Sequence, residues 1–310
     1  MFKLPDKYPS LRDNVSDITD FFETICLKST HGRASFREIY RAAATGDDEI
    51  EINGIEDEND LFNNEKFDEV CIEIQRRTQA CGGNYPFSFE DRGYVLKLDS
   101  SIENWMTVSY AYLLLATRLN MTSNKVQNEI DGALLFENLS AQIAKSYWGD
   151  RADSIVFGTA NDGNFPNKIN ELCKKIGEGT GFKSRNKNRP TEKDAKLDIV
   201  VWKRFQDDRQ AKLIGFGQCK TGTHWDESIS QLQPDAFCQS WFEDAPAVPP
   251  VRLYFICDSF PSGQWYSKAS SAGIIFDRFR IMDFLPSNLD GQIDRKVRTW
   301  VNAALKFIKS

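Results

Sequence analysis

Asp198 opens one apolar run, LDIVVW, and Gln218 and Lys220 close a second, LIGFGQCK, with a polar stretch at Gln206 to Arg209 between them. Two runs of this length, rich in β-branched and aromatic residues and joined by a turn, predict a hairpin of strands over 197–202 and 213–220. Strand side chains alternate faces, so Gln218 and Lys220 share one face and Cys219 takes the other. An acid on one strand then meets an amide and an amine on its neighbour. These are the parts needed to hold a divalent metal beside a phosphodiester, with an ammonium to orient or activate the attacking water.

The elements that must position this trio are legible on either side of it. A helix over 131–148 carries Glu137 in the stretch LLFENL, and a second helix over 167–176 is closed by Gly177 and Gly179. After the hairpin come a helix over 234–242, a continuous apolar strand over 251–257, a short helix over 267–272, a strand over 273–284 and a final helix over 290–307. This order predicts an α/β sandwich built on a mixed sheet.

On these residues the chain resembles the PD-(D/E)xK nuclease superfamily, with its restriction-endonuclease-like fold. It is most similar to the Mrr-like branch, in which a glutamine replaces the usual acid and the strand reads Gln-x-Lys. The resemblance spans Asp131 to Leu285. In that family an acid at the start of the second core strand binds Mg²⁺ and the lysine of the third strand serves the nucleophile. The resemblance therefore implies Asp198 as the metal-binding acid, Gln218 as the substituted acid and Lys220 as the catalytic lysine. Glu137 stands for the glutamate that the family often carries on the helix before the sheet.

The implied cofactor is Mg²⁺ or Mn²⁺, held by Asp198, Glu137 and the backbone carbonyl of Cys219. The implied activity is a metal-dependent endodeoxyribonuclease acting in bacterial defence against phage or foreign DNA, with an activating or regulatory protein subunit as a further partner. Two residues depart from the family pattern. Leu197, not proline, precedes Asp198, and a neutral amide at 218 weakens the electrostatic hold on a cation that normally binds through one or two carboxylates. Two rival readings follow: a nuclease fold that lost its chemistry and serves as a nucleic-acid-binding or scaffold subunit of a defence complex, and an RNase using the same site.

The chain of 310 residues carries a net charge of −6, which by itself argues against a polyanionic partner. The distribution alters that inference. From Asp47 to Glu69 there are eleven acids and one lysine, whereas from Lys168 to Lys196 nine basic residues face four acids. Lys183, Arg185, Lys187 and Arg189 alternate with small or polar residues just before Asp198, the pattern of a loop that grips phosphates. Lys168, Lys174 and Lys175 fit a solvated helix face equally well.

Residues 1–128 read as a mainly helical regulatory or partner-docking domain, and 129–310 as the catalytic one. Helices are expected over 16–27, from Phe36 to Gly46, around Phe67 to Ile74 and over 102–120, with a linker at Met121 to Lys125 and the acidic stretch from Asp47 to Asp60 as a loop. Seven irregularly spaced cysteines and two histidines support neither a disulfide framework nor a structural zinc site. No stretch is long and apolar enough for a membrane span, so a soluble cytoplasmic protein is expected. A Cys219–His224 nucleophile is disfavoured because Cys219 should face the core. The Phe157–Gly163 stretch lacks a phosphate-loop pattern. Trp202, Trp225 and Trp241 are expected in the core rather than stacked on bases.

Overall fold

The computed structural model describes residues 2–10, 12–37, 56–90, 94–158, 164–183 and 196–308. Its elements are α1 (Val15–Lys28), β1 (Arg33–Ser35), α2 (Glu56–Ala80), β2 (Phe87–Phe89), β3 (Val95–Leu98), α3 (Trp105–Arg118), β4 (Val126–Gln127), β5 (Ile130–Asp131), α4 (Gly132–Trp148), β6 (Ala152–Val156) and α5 (Phe165–Ile176). There follow β7 (Ile199–Lys203), β8 (Ile214–Lys220), α6 (Pro234–Trp241), β9 (Val251–Ile256), α7 (Trp265–Ala272), β10 (Ile274–Phe276), α8 (Arg278–Asp283) and α9 (Gly291–Phe307). The fold is α/β, and its sheet is mixed.

That sheet has five strands in the order β10-β9-β8-β7-β6. β6, β7 and β8 form an antiparallel meander, while β9 and β10 run parallel to β8. The parallel step from β8 to β9 needs a crossover, and α6 lies on it. Leu135, Phe136, Leu139 and Ile143 of α4 cluster with Ile199, Val201, Leu253 and Phe255 on one face of the sheet. On the other face, Ile169, Leu172 and Ile176 of α5 and Phe237 and Trp241 of α6 cluster with Val200, Trp202 and Phe216. Glycine at 215 lets Trp148 of α4 close down on β8, and glycine at 217 makes room for Ile199 of β7. A Cβ at Gly215 would stand 2.9 Å from Trp148 and Val201, and one at Gly217 would stand 2.5 Å from Ile199.

Polar residues set the helix starts. Asp131 caps α4 by accepting from the N–H groups of Ala133 and Leu134, Asn164 caps α5, and Asp290 caps α9. Asn104 caps α3, two residues inside the expected start, and α3 is buried on all sides from Thr107 onwards. Arg118 at the end of α3, Arg77 of α2 and Arg278 of α8 all converge on Asp20 of α1. The three guanidiniums hold the Asp20 carboxyl far below the usual range, against a burial effect that pushes it up.

Several expectations change. The strand expected over 273–284 ends at Phe276, because Asp277 caps α8 by accepting from the Arg280 N–H. The described part of the stretch expected as a loop, residues 56–60, is the start of α2 instead. The expected linker is fastened: the Lys125 carbonyl accepts from the Trp300 Nε1–H and the Gly132 N–H. The three-stranded sheet β1-β3-β2 and strand β6 were not foreseen. Beyond Arg37, the helix expected to reach Gly46 lies outside the described residues. One apolar cluster runs across residue 128, from Phe2 and Ile18 to Trp300 and Ile308, and α3 packs against α9.

Candidate active site

Asp198 sits one residue before β7, and its backbone continues the ladder, with its N–H donating to the Gly217 carbonyl at 3.0 Å. By strand alternation it shares the face of Val200 and Trp202. The register pairs Ile199 with Gly217, which sets Asp198 opposite Gln218. Gln218 and Lys220 lie on that same face, as the sequence predicted, and Lys220 is half-buried at the end of β8. β7 does not extend far enough to satisfy the Cys219 N–H. The Asp198 carboxylate takes its place, accepting that proton at 2.7 Å. Since N–H and C=O of one strand residue project to the same edge, the Cys219 carbonyl is aimed to the Asp198 side of β8.

Glu137 reaches this edge from the opposite face, on α4. A Cβ on Gly158 would fall 2.7 Å from Glu137 Oε2, and the Gly158 N–H donates to the Asp198 carbonyl at 3.2 Å. Glu137 and Asp198 therefore flank Gly158. The Cys219 thiol is pushed well up by burial and then by the negative charges of Asp198 and Glu137 nearby. A buried thiol held protonated is a poor nucleophile. His224 is turned to solvent, 3.3 Å from Glu227, so no Cys–His couple forms.

Gln218 carries the most unusual environment of the four. Its side chain is fully buried, and neither Oε1 nor Nε2 makes a hydrogen bond among the described residues. Buried amides are nearly always bonded, and leaving one unmade costs about 1–3 kcal/mol. Among the described residues no three His, Cys, Asp or Glu side chains form a ready metal cage. The oxygen set of two carboxylates, an amide and a backbone carbonyl fits a hard cation that retains waters, such as Mg²⁺ or Mn²⁺.

Of the basic loop, Lys183 is exposed beside α6, its N–H on the Trp241 carbonyl, whereas Arg185, Lys187 and Arg189 lie outside the described residues. Trp202, Trp225 and Trp241 are core residues, at most 5% exposed. Two further residues stand at the site: Gly158, which had no expected role, and Lys168, which the sequence left equally open as a phosphate contact or a solvated helix residue. Gly158 provides the close approach for Glu137, and Lys168 of α5 donates from Nζ to the Gly158 carbonyl at 3.0 Å. Among the described residues no helix is long and apolar enough to cross a membrane. No family model, curated protein or solved structure matches this chain.

Proposed function

We propose that this protein is a metal-dependent nuclease with a restriction-endonuclease-like core, hydrolysing phosphodiester bonds in DNA and serving defence against foreign DNA. The observation that carries the reading is the bond from the Cys219 N–H to the Asp198 carboxylate, which locks the acid against the Gln-x-Lys segment. The order of elements supports it: α4 with Glu137, then β6, then β7 opened by Asp198, then β8 closed by Gln218 and Lys220. The acid thus stands at the second strand of the meander and the lysine on the third.

Asp198, Glu137 and the Cys219 carbonyl would hold Mg²⁺ or Mn²⁺, which when bound polarises the phosphate and lowers the pKa of a water. Lys220 orients the attacking water and offsets the charge that builds on the phosphorus oxygens. The buried Gln218 amide supplies both a donor and an acceptor, suited to fixing a water on the Lys220 face. Hydrolysis forms one P–O bond from water, breaks the P–O bond to the departing sugar and delivers a proton to that oxygen.

Cleavage of plasmid, linear and single-stranded DNA with Mg²⁺ or Mn²⁺ tests the proposal, comparing the native protein with Asp198→Ala and Lys220→Ala. Loss of cleavage in both variants is expected; equal residual cleavage in all three proteins rejects the assignment. The amide at 218 favours the scaffold reading as the alternative. DNA binding without metal binding, unaltered by Gln218→Glu, would establish that reading instead, and competition with RNA separates an RNase.

A further inference from the structure

We infer that Lys168 binds a substrate phosphate next to the scissile one, so that two ammonium groups, Lys168 and Lys220, bracket Asp198 on one face of the sheet. The inference rests on the nuclease reading and adds a substrate contact from α5. Phe165, Ile169 and Leu172 anchor α5 to the face that bears Val200, Trp202 and Phe216, the face shared by Asp198, Gln218 and Lys220. Lys168 is half-buried in the second turn of this helix, beside Ile169. Its Nζ bonds the Gly158 carbonyl, and Gly158 in turn bonds the Asp198 carbonyl. The ammonium is therefore separated from the Asp198 backbone carbonyl by the single residue Gly158 on the β6 side, while Lys220 ends β8 on the other side of β7.

Electrostatics gives that placement a purpose. Glu137 and Asp198 together repel an approaching phosphate, and a single lysine leaves the β6 side of the site acidic. A neutral carbonyl is a modest partner for an ammonium, whereas a phosphate oxygen forms a charge-assisted hydrogen bond roughly twice as strong. Transfer of Nζ from Gly158 to the substrate is therefore favourable and needs only rotation of a long, flexible side chain. Lys174 and Lys175 lie in the last turn of the same helix, away from Gly158, and cannot substitute.

The test measures binding of a labelled duplex without added divalent metal, as a function of salt, for the native protein, Lys168→Ala and Lys168→Arg. Loss of one phosphate contact is expected to reduce the slope of log K against log salt by about 0.9 in Lys168→Ala. KM for cleavage should rise with kcat little changed, the signature of lost uniform binding, and Lys168→Arg should restore both. If Lys168 serves only to satisfy the Gly158 carbonyl, Lys168→Ala lowers the melting temperature and leaves slope and KM untouched. That result overturns the inference. Should it occur while Asp198→Ala and Lys220→Ala still abolish cleavage, this inference alone fails. If those two variants cleave like the native protein, the nuclease reading fails and this one with it.

Discussion

Replacing Gln218 by methionine is expected to make the protein more stable and less active. The side chain is wholly enclosed, with both polar atoms lacking hydrogen bonds among the described residues. Methionine has the same unbranched length and adapts to irregular space, so the exchange removes the buried polar groups without opening a cavity. Relieving an unmade buried hydrogen bond is worth about 1–3 kcal/mol. Unfolding entropy of about 2.1 cal/mol/K per residue over a chain of this length converts that gain into a rise of about 2–5 °C in Tm. Cleavage should fall by about a hundredfold, the scale seen when one preorganised hydrogen-bonding group is removed from a hydrolytic site. Scanning calorimetry and a plasmid-cleavage time course on the same preparations measure both quantities. A variant that melts lower than the native protein would mean that the amide already has a structural partner; one that cleaves normally would mean that it has no part in the chemistry.

Gly158→Ala places a methyl 2.7 Å from Glu137 Oε2, the movable end of a flexible side chain. The fold should tolerate it within about 1 kcal/mol, while displacement of Glu137 by the order of 1 Å lowers cleavage by about a hundredfold; unchanged kcat would remove Glu137 from the site. Asp20→Asn removes the carboxylate shared by Arg77, Arg118 and Arg278 and should cost about 3–5 kcal/mol at pH 7. Because the folded state holds Asp20 below its ordinary value of 3.8, its contribution is present above that pH and is withdrawn as pH falls towards the folded value. The gap in unfolding free energy between the two proteins should therefore stay constant from pH 7 to about pH 5 and narrow by only about 1 kcal/mol by pH 3, most of it persisting there because the folded value lies far lower; a gap that does not narrow at all would contradict the argument. Lys212→Met should destabilise by about 1–3 kcal/mol in urea unfolding, since Lys212 is buried and its Nζ donates to the Ile176 carbonyl at the end of α5. An unchanged midpoint would show that this helix end needs no lysine.

The parts of the fold that were legible in the sequence are those with a local cause. Alternation and β-branching located β7 and β8, and a continuous apolar run located β9. Asp131 and Asp290 marked the starts of α4 and α9 within a residue. What failed to show has non-local causes. β6 is five residues, ADSIV, with one fully buried position, too little pattern to separate it from a loop. The run after Phe276 looks like a strand because its large residues are apolar, but the Asp277 cap and the burial of Arg278 against Asp20 turn it into a helix. Arg77, Arg118 and Arg278 read as surface charges, since nothing local announces that three guanidiniums from different helices meet one carboxylate. For the proposed site, residue types and strand parity were enough to put Gln218 and Lys220 on one face of β8, and the register sets Asp198 opposite Gln218. Gly158, in a stretch without a phosphate-loop pattern, and Lys168, ten residues on in the basic segment, come together only when α5 packs back over the end of β6.

The two faces of the sheet divide the proposed chemistry in a way that constrains the substrate. Glu137 comes from α4 beneath the sheet, while Asp198, Gln218, Lys220 and Lys168 belong to the upper face. These groups can act together only at the edge where β6 ends, β7 begins and β8 ends, because the apolar clusters on both faces fill the space inward of it. A scissile phosphate must therefore approach the sheet edge-on, with the Cys219 carbonyl aimed towards it. Among the described residues, Lys168 reaches this edge through the Gly158 carbonyl, and Lys196 stands two residues before Asp198. In a chain of net −6, these two ammonium groups stand beside the place where the two carboxylates would otherwise repel a polyanion.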